Sequence, residues 1–261
     1  MGHTLIGVLP ASRKWRQVVA LIGGGGDVSE VAAATSSAAE SSMVEAAEDP
    51  TVRQSVWLLT QIPLAAASKD FGGELRRLGL PVSNSPTLVS ICTALVQAID
   101  EHVAKTGGCT DAGEMAQLSA AESLGAVAGR EIPALFGTSN AAEDARLALK
   151  GLGTVSQFSV LARDFFSRLM RRYLDYYLSR ELPQHVGGNG RFHTIVEHRE
   201  FEEALDLHCR EASGILRDFA GEWYSKTNYQ GGIDPKKAGG FAHYSFSKLR
   251  DEMRARRDAH A

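Results

Sequence analysis

The sequence predicts an all-α protein, a multi-helix array or bundle of about nine to ten helices. Apolar residues recur at spacings of three and four along most of the 261-residue chain, and short stretches of glycine or proline separate these segments. Strand-like alternation is nearly absent after residue 10. Before that point, residues 3–9 predict a short N-terminal strand or an extended arm.

The first 150 residues contain seven predicted helices, most of which begin at a cap residue and end at glycine or proline. Asp27 followed by Glu30, and Asp111 followed by Glu114, are typical of a capping box. Ser85-Pro86 is typical of a cap followed by proline at the first helical position. The expected ranges are 12–22, 27–48, 51–62, 70–78, 85–106, 111–127 and 141–150.

The remaining residues predict three longer helices, over 155–181, 196–224 and from Asp234-Pro235 to the terminal arginines. Thr154 with Gln157 caps the first of them. At 100° per residue its apolar and aromatic side chains share one wide face. That face consists of Phe158, Leu161, Ala162, Phe165, Phe166, Leu169, Tyr173, Tyr176 and Tyr177. Residues 225–233 are expected to form a loop.

Composition divides the chain into two unlike halves. Residues 1–150 hold 11 basic and 16 acidic residues, whereas residues 151–261 hold 17 basic and 15 acidic residues and 15 of the 19 aromatic ones. We therefore expect an acidic Ala-rich helical half and an aromatic-rich, mildly basic helical half that meet within residues 129–154. The two halves are also compatible with one continuous domain.

The sequence lacks the patterns that are typical of several classes of protein. The three cysteines, Cys92, Cys109 and Cys209, form neither a CxxC pair nor a disulfide framework. No uninterrupted apolar run reaches about 18 residues, so no membrane span is expected. Gly23 to Gly26 lacks the lysine and the hydroxyl residue of a phosphate-binding loop. We expect a cytoplasmic protein with no cofactor, no metal and no catalytic constellation.

Two segments of the second half are candidate binding sites. The first, within residues 223–233, is a candidate for partner binding because tryptophan and tyrosine often anchor interfaces. Its candidate residues are Trp223, Tyr224, Lys226, Asn228 and Tyr229. The second is the basic C-terminal segment, which is a candidate for nucleic-acid contact. Its candidate residues are Lys248, Arg250, Arg254, Arg256 and Arg257.

The polar face of the predicted helix over 155–181 is also rich in arginine. It carries Arg163, Arg168, Arg171, Arg172 and Arg180. Asp164 with Arg168, and Arg171 with Asp175, are four residues apart and therefore neutralise part of the charge. This face is expected either to be a solvated, salt-bridged surface or to bind an acidic partner or a nucleic-acid backbone.

The leading functional hypothesis is a non-enzymatic helical subunit or adaptor that acts through contacts with a protein partner or another copy of itself. A nucleic-acid-associated accessory protein is the alternative. The second alternative is a hydrolase or metalloenzyme, for which the candidate residues are His193, His198, His208, Glu197 and Glu211. It has little support, because His193 and His198 are five residues apart and point about 140° away from each other on a helix. His208 is expected either in the core or at a functional contact.

Overall fold

A computed structural model describes residues 12–108, 110–132 and 141–260. The predicted strand or arm over residues 3–9 and the thiol of Cys109 lie outside these ranges. The described residues form helices joined by turns and loops, with no β-strand within these ranges, so the all-α prediction is confirmed. Its only bridge-type pairing joins Val186 and Phe192. None of the helices in these ranges combines the length and the hydropathy that a membrane span requires.

The described residues form twelve α-helices, two more than the upper end of the expected number. The first six are α1 (Arg13–Gly23), α2 (Val28–Ala38), α3 (Glu40–Glu48), α4 (Pro50–Ala65), α5 (Phe71–Arg77) and α6 (Leu88–Thr106). The last six are α7 (Asp111–Glu131), α8 (Ala141–Gly151), α9 (Val155–Leu178), α10 (Ile195–Ala212), α11 (Ala220–Tyr229) and α12 (Pro235–His260). Two 3-10 helices, Leu182–His185 and Ser213–Asp218, complete the structure.

Two of the predicted long helices are each divided in the structure. The segment 27–48 breaks at Ala39, which ends α2 and precedes α3. The segment 196–224 ends its α-helix at Ala212, where the Ser213 hydroxyl donates to the carbonyl of Cys209 at 2.7 Å. Such side-chain bonds compete with the regular helical pattern, and serine and glycine are weak helix formers. A short 3-10 helix follows instead.

Residues 223–229 are helical, so the expectation that the loop begins near residue 225 was wrong. They belong to α11, whose start lies directly against the start of α9. The amide of Gly221 donates to the Ser159 hydroxyl at 3.0 Å, and a Cβ at this glycine would lie 2.0 Å from the carbonyl oxygen of Val155. Only glycine permits this approach of the two backbones.

The predicted helix starts are correct at some positions and displaced at others. Asp27 with Glu30 forms the expected capping box, and the Thr154 hydroxyl accepts from the amide of Gln157. Thr87 caps α6 in place of Ser85, and Thr110 caps α7 in place of Asp111. The Thr110 hydroxyl also donates to Asp49 at 2.7 Å, a contact between residues 61 positions apart.

Helix α9 occupies the centre of the fold. It packs against α7, α10, α11 and the second 3-10 helix, while α12 packs against α2, α3 and α4. Of the nine predicted core residues of α9, all but the half-buried Tyr176 are buried. One hydrophobic core includes residues from both compositional halves. The polar stripe of α9 therefore lies between α7 and α10, where it positions the candidate site.

Candidate functional site

Helix α11 places the predicted partner-binding residues in two different environments. Tyr224 is buried, its ring stacks on Phe158 at a centroid distance of 4.1 Å, and its hydroxyl donates to the carbonyl of Thr60. Trp223 is half-buried and stacks on Phe241 at 4.0 Å. These two rings are therefore part of the core. The other three residues are exposed, and they are Lys226, Asn228 and Tyr229.

The basic candidates on α12 have interaction partners within the protein. Arg250 and Arg254 lie 3.2 and 3.7 Å from the carboxylate of Glu40. Arg256 lies 2.9 Å from Glu211, and also pairs with a carboxylate on its own helix. The remaining two are Lys248, whose Nζ lies 5.5 Å from the ring centroid of Tyr244, and Arg257, whose Nη2 lies 2.7 Å from Asp258. Their positive charge is thus largely balanced in place.

The candidate residues of the hydrolase or metalloenzyme alternative have structural contacts. The carboxylate of Glu197 accepts from the backbone amide of His193 at 2.7 Å, immediately before Thr194, which caps α10. The ring of His198 packs edge-on against Phe192, His208 is buried, and Glu211 pairs with Arg256. Across the described residues, no group of three or more histidine, cysteine or acidic side chains has the arrangement of a metal site.

A groove of about 280 Å³ lies beside α9, between the end of α7, the end of α10 and the second 3-10 helix. We call it the arginine groove. Its five arginines are Arg130, Arg163, Arg168, Arg210 and Arg217. The remaining lining residues are Val160, Asp164, Ser167 and Asp206. Five arginines and two aspartates give the lining a net charge of +3.

Three of these arginines are held by carboxylates. Arg168 donates to Asp164 at 2.6 Å and to Glu122 at 2.9 Å, which links α9 to α7. The same Asp164 lies 3.9 Å from Arg130. Arg210 pairs with Asp206 one turn earlier on α10. Each of these three side chains therefore already has a carboxylate partner, and Arg168 is the least exposed of them.

Arg163 and Arg217 differ from the other three. In the part of the chain that the structure describes, no carboxylate forms an ion pair with either side chain. The residues outside it, 1–11, 109, 133–140 and 261, include no aspartate or glutamate. Arg163 instead donates to the backbone carbonyl of Arg210 at 2.9 Å.

The electrostatics of Arg163 favour an anion at this position. Burial lowers the pKa of its guanidinium, the neighbouring charge of Arg217 lowers it further, and Asp164 opposes this in part. Because arginine stays protonated in proteins, the two like charges persist side by side. An anion between them would relieve their repulsion and could accept hydrogen bonds from two planar donor groups.

The sequence contained a signal for Arg163 but none for its partners in the groove. Arg168 and Arg171 each have an acidic residue four positions away on α9, whereas Arg163 has serine at both such positions. Arg172 and Arg180 also have no acidic residue four positions away, so this pattern narrows the choice to three of the five arginines on this face. Arg130, Arg210 and Arg217 come from other elements, and only the tertiary packing brings them to the groove.

The arrangement is suited to binding carboxylate or phosphate groups. The groove presents guanidinium groups, two carboxylates and one serine, and arginine binds carboxylate and phosphate groups through paired hydrogen bonds. Comparison of the chain with protein-family models, with curated proteins and with solved structures gave no match.

Proposed function

We propose that this protein is a non-enzymatic helical binding protein whose arginine groove recognises a carboxylate-bearing segment of a protein partner. The observation that carries the proposal is that Arg163 and Arg217 face the groove without a carboxylate of their own. Elsewhere the protein pairs its arginines extensively, as on α12. An external anion would therefore bind most favourably at these two adjacent guanidinium groups, which have no ion pair.

The mixed charge of the groove favours a protein partner over a nucleic acid. Asp164 and Asp206 alternate with the arginines along its wall. A phosphate backbone carries a charge at every nucleotide, so an extended strand would place phosphates near these carboxylates. A protein segment with a few separated carboxylates can match both signs, and such complementary charges fix the orientation of a partner.

The test measures binding of a fluorescent peptide of four Glu-Gly-Ser repeats, whose carboxylates are separated, to the full chain by anisotropy. The variant Arg163→Gln with Arg217→Gln removes two charge-assisted contacts, each contributing about 1.5–3 kcal/mol. The two contacts total at least about 3 kcal/mol, so we expect an affinity loss of about a hundredfold or more. The matched control, Arg254→Gln with Arg257→Gln, removes the same charge from α12 and should change affinity by less than about twofold.

Two results would overturn the proposal. Equal weakening by the groove variant and the α12 variant would show that the peptide responds only to net charge. Tighter binding of a single-stranded oligonucleotide, lost in the α12 variant, would favour the nucleic-acid alternative. Because Arg163 also contacts the carbonyl of Arg210, Arg217→Gln alone serves as the variant that removes no internal hydrogen bond.

A further inference from the structure

A second groove, of about 310 Å³, lies between α8 and the start of α9 and has the opposite charge. We call it the acidic groove. Glu131 and Asp144 are its only charged lining residues among those described, and both are acidic. Leu147, which also lines it, is 51% exposed. The acidic groove thus offers two carboxylates beside an uncovered apolar side chain.

Asp144 is the counterpart of the unpaired arginines. Its Oδ2 atom is buried and, within the described residues, accepts no hydrogen bond, whereas the neighbouring Glu143 is held by Arg146 at 2.6 Å. No arginine or lysine among the described residues forms an ion pair with Asp144, so an arginine from outside would be the first cationic partner of this side chain. Among the described residues, the acidic groove therefore contains a carboxylate without an ion pair, and the arginine groove contains two guanidinium groups without one.

The two grooves are neighbours on one side of the molecule. Arg130 of the arginine groove and Glu131 of the acidic groove are consecutive at the end of α7. On α9, Gln157 lines the acidic groove and Arg163 lines the arginine groove, six residues or about 9 Å further along the helix axis. The surface consequently has a positive patch directly beside a negative one.

We propose that the acidic partner of the arginine groove is a second copy of this chain, which docks α8 through Asp144 and Leu147. Adjacent patches of opposite charge are self-complementary under a twofold rotation about an axis between them. Each protomer then places its acidic groove on the arginine groove of its partner, and both contacts form twice. Leu147 would pack on the apolar wall that Val160 provides. This inference rests on the proposed function and names its partner.

The experiment measures the mass of the full chain in solution by sedimentation velocity over a range of concentrations. We expect a dimer for the wild type. Arg163→Glu with Arg217→Glu should raise the dimer dissociation constant by about tenfold or more, because each dimer would then contain four repulsive groove charges. Glu131→Arg with Asp144→Arg should raise the dimer dissociation constant by a similar factor, because it places positive charge in the acidic groove.

Mixing these two variants provides the decisive measurement. In a heterodimer, the arginine groove that now carries glutamates faces the acidic groove that now carries arginines. The other contact joins the two unchanged grooves. Both contacts therefore again pair opposite charges. We expect dimers to reappear only in the mixture. This readout separates disrupted docking from misfolding, since misfolded variants would not restore each other.

The outcomes also separate this inference from the proposed function. A wild type that stays monomeric, or variants that fail to restore each other, would overturn the dimer. If the Glu-Gly-Ser peptide still binds through Arg163 and Arg217, the proposed function stands. Dimers that persist in both single-groove variants, with no peptide binding, would overturn both proposals.

Discussion

The C-terminal segment, residues 223–257, and the arginine groove use similar side chains in opposite ways. Tyr224 of the segment packs in the core, and its Arg250 and Arg256 reach across to Glu40 and Glu211. In the groove, Arg163 and Arg217 project beside each other with no carboxylate partner among the described residues. In the C-terminal segment, the charges and rings form internal contacts. In the arginine groove, positive charge remains available to a partner.

The difference shows that the number of arginines in a region does not indicate where binding occurs. A paired arginine must give up one carboxylate to gain another, so its net gain from a partner is small. An unpaired arginine beside another arginine loses no ion pair when it binds the carboxylate of a partner, so its net gain is larger. The distinction is set by tertiary contacts, such as that between α12 and α3, which brings Glu40 to Arg250.

The largest expected change in stability distinguishes the buried tyrosine of α11, Tyr224, from its exposed tyrosine, Tyr229. Tyr224→Ala should lower the free energy of unfolding by about 3–5 kcal/mol, the cost typical of deleting a large buried ring. Tyr229, whose side chain is 93% exposed, should change it by less than about 0.5 kcal/mol when replaced by alanine. Urea denaturation followed by circular dichroism measures both values.

Tyr224→Phe provides the control for this pair. It keeps the stack on Phe158 and removes only the hydroxyl, whose bond to the Thr60 carbonyl is 3.4 Å long. We expect a loss below about 1.5 kcal/mol. Similar losses for Tyr224→Ala and Tyr229→Ala would contradict the division of α11 into a core face and a solvent face.

A smaller effect compares one arginine from each region. Arg250→Ala should cost about 1–2 kcal/mol, because its stem packs against the protein and its side chain is only 12% exposed beside Glu40. Arg217→Ala should change stability by less than about 0.5 kcal/mol, since that exposed side chain has no ion pair among the described residues. Thermal denaturation of the two variants at equal ionic strength tests the difference. A groove arginine that contributes as much as Arg250 would mean that the groove is a structural feature and not a binding one.

Local patterns predicted much of the fold. The spacing of apolar residues identified the buried face of α9, and Thr154 and Asp27 cap the helices for which they were predicted. These features depend on residues within one or two turns of each other. The cap of α7 could not be predicted in this way, because Thr110 is held by Asp49 from another helix. Likewise, the helical state of residues 223–229 depends on the close approach of Gly221 to α9.

The candidate site was only partly predictable for the same reason. The sequence showed an arginine-rich face on α9 and three arginines there, Arg163, Arg172 and Arg180, with no acidic residue four positions away. It could not show that Arg217 would lie beside Arg163, because the second 3-10 helix that carries Arg217 was expected to be a regular α-helix. Nor could it show that α12 would be neutralised by Glu40 and Glu211, which are distant in sequence.

The smallest effect is the pH dependence of the internal ion pairs. Burial by itself raises the pKa of Glu40, but Arg250, Lys14 and Arg254 outweigh it and hold the pKa below its usual 4.5. A carboxylate with a lowered folded-state pKa stabilises the protein above its unfolded pKa, and this contribution is lost as the pH falls from 4.5 through the lowered value. The side chain is partly exposed, so solvent screening limits the contribution to a few tenths of a kcal/mol, roughly.

Glu40→Gln should therefore flatten the decline of stability below pH 4.5 and have its full effect near neutrality, where the wild-type carboxylate is charged. Chemical denaturation at a series of pH values measures this slope, and high salt should reduce the difference by screening the exposed pairs. An unchanged slope would mean that the α12 arginines are not neutralised by Glu40. In that case the contrast with the groove would weaken, because the cations on α12 would be equally available to a partner.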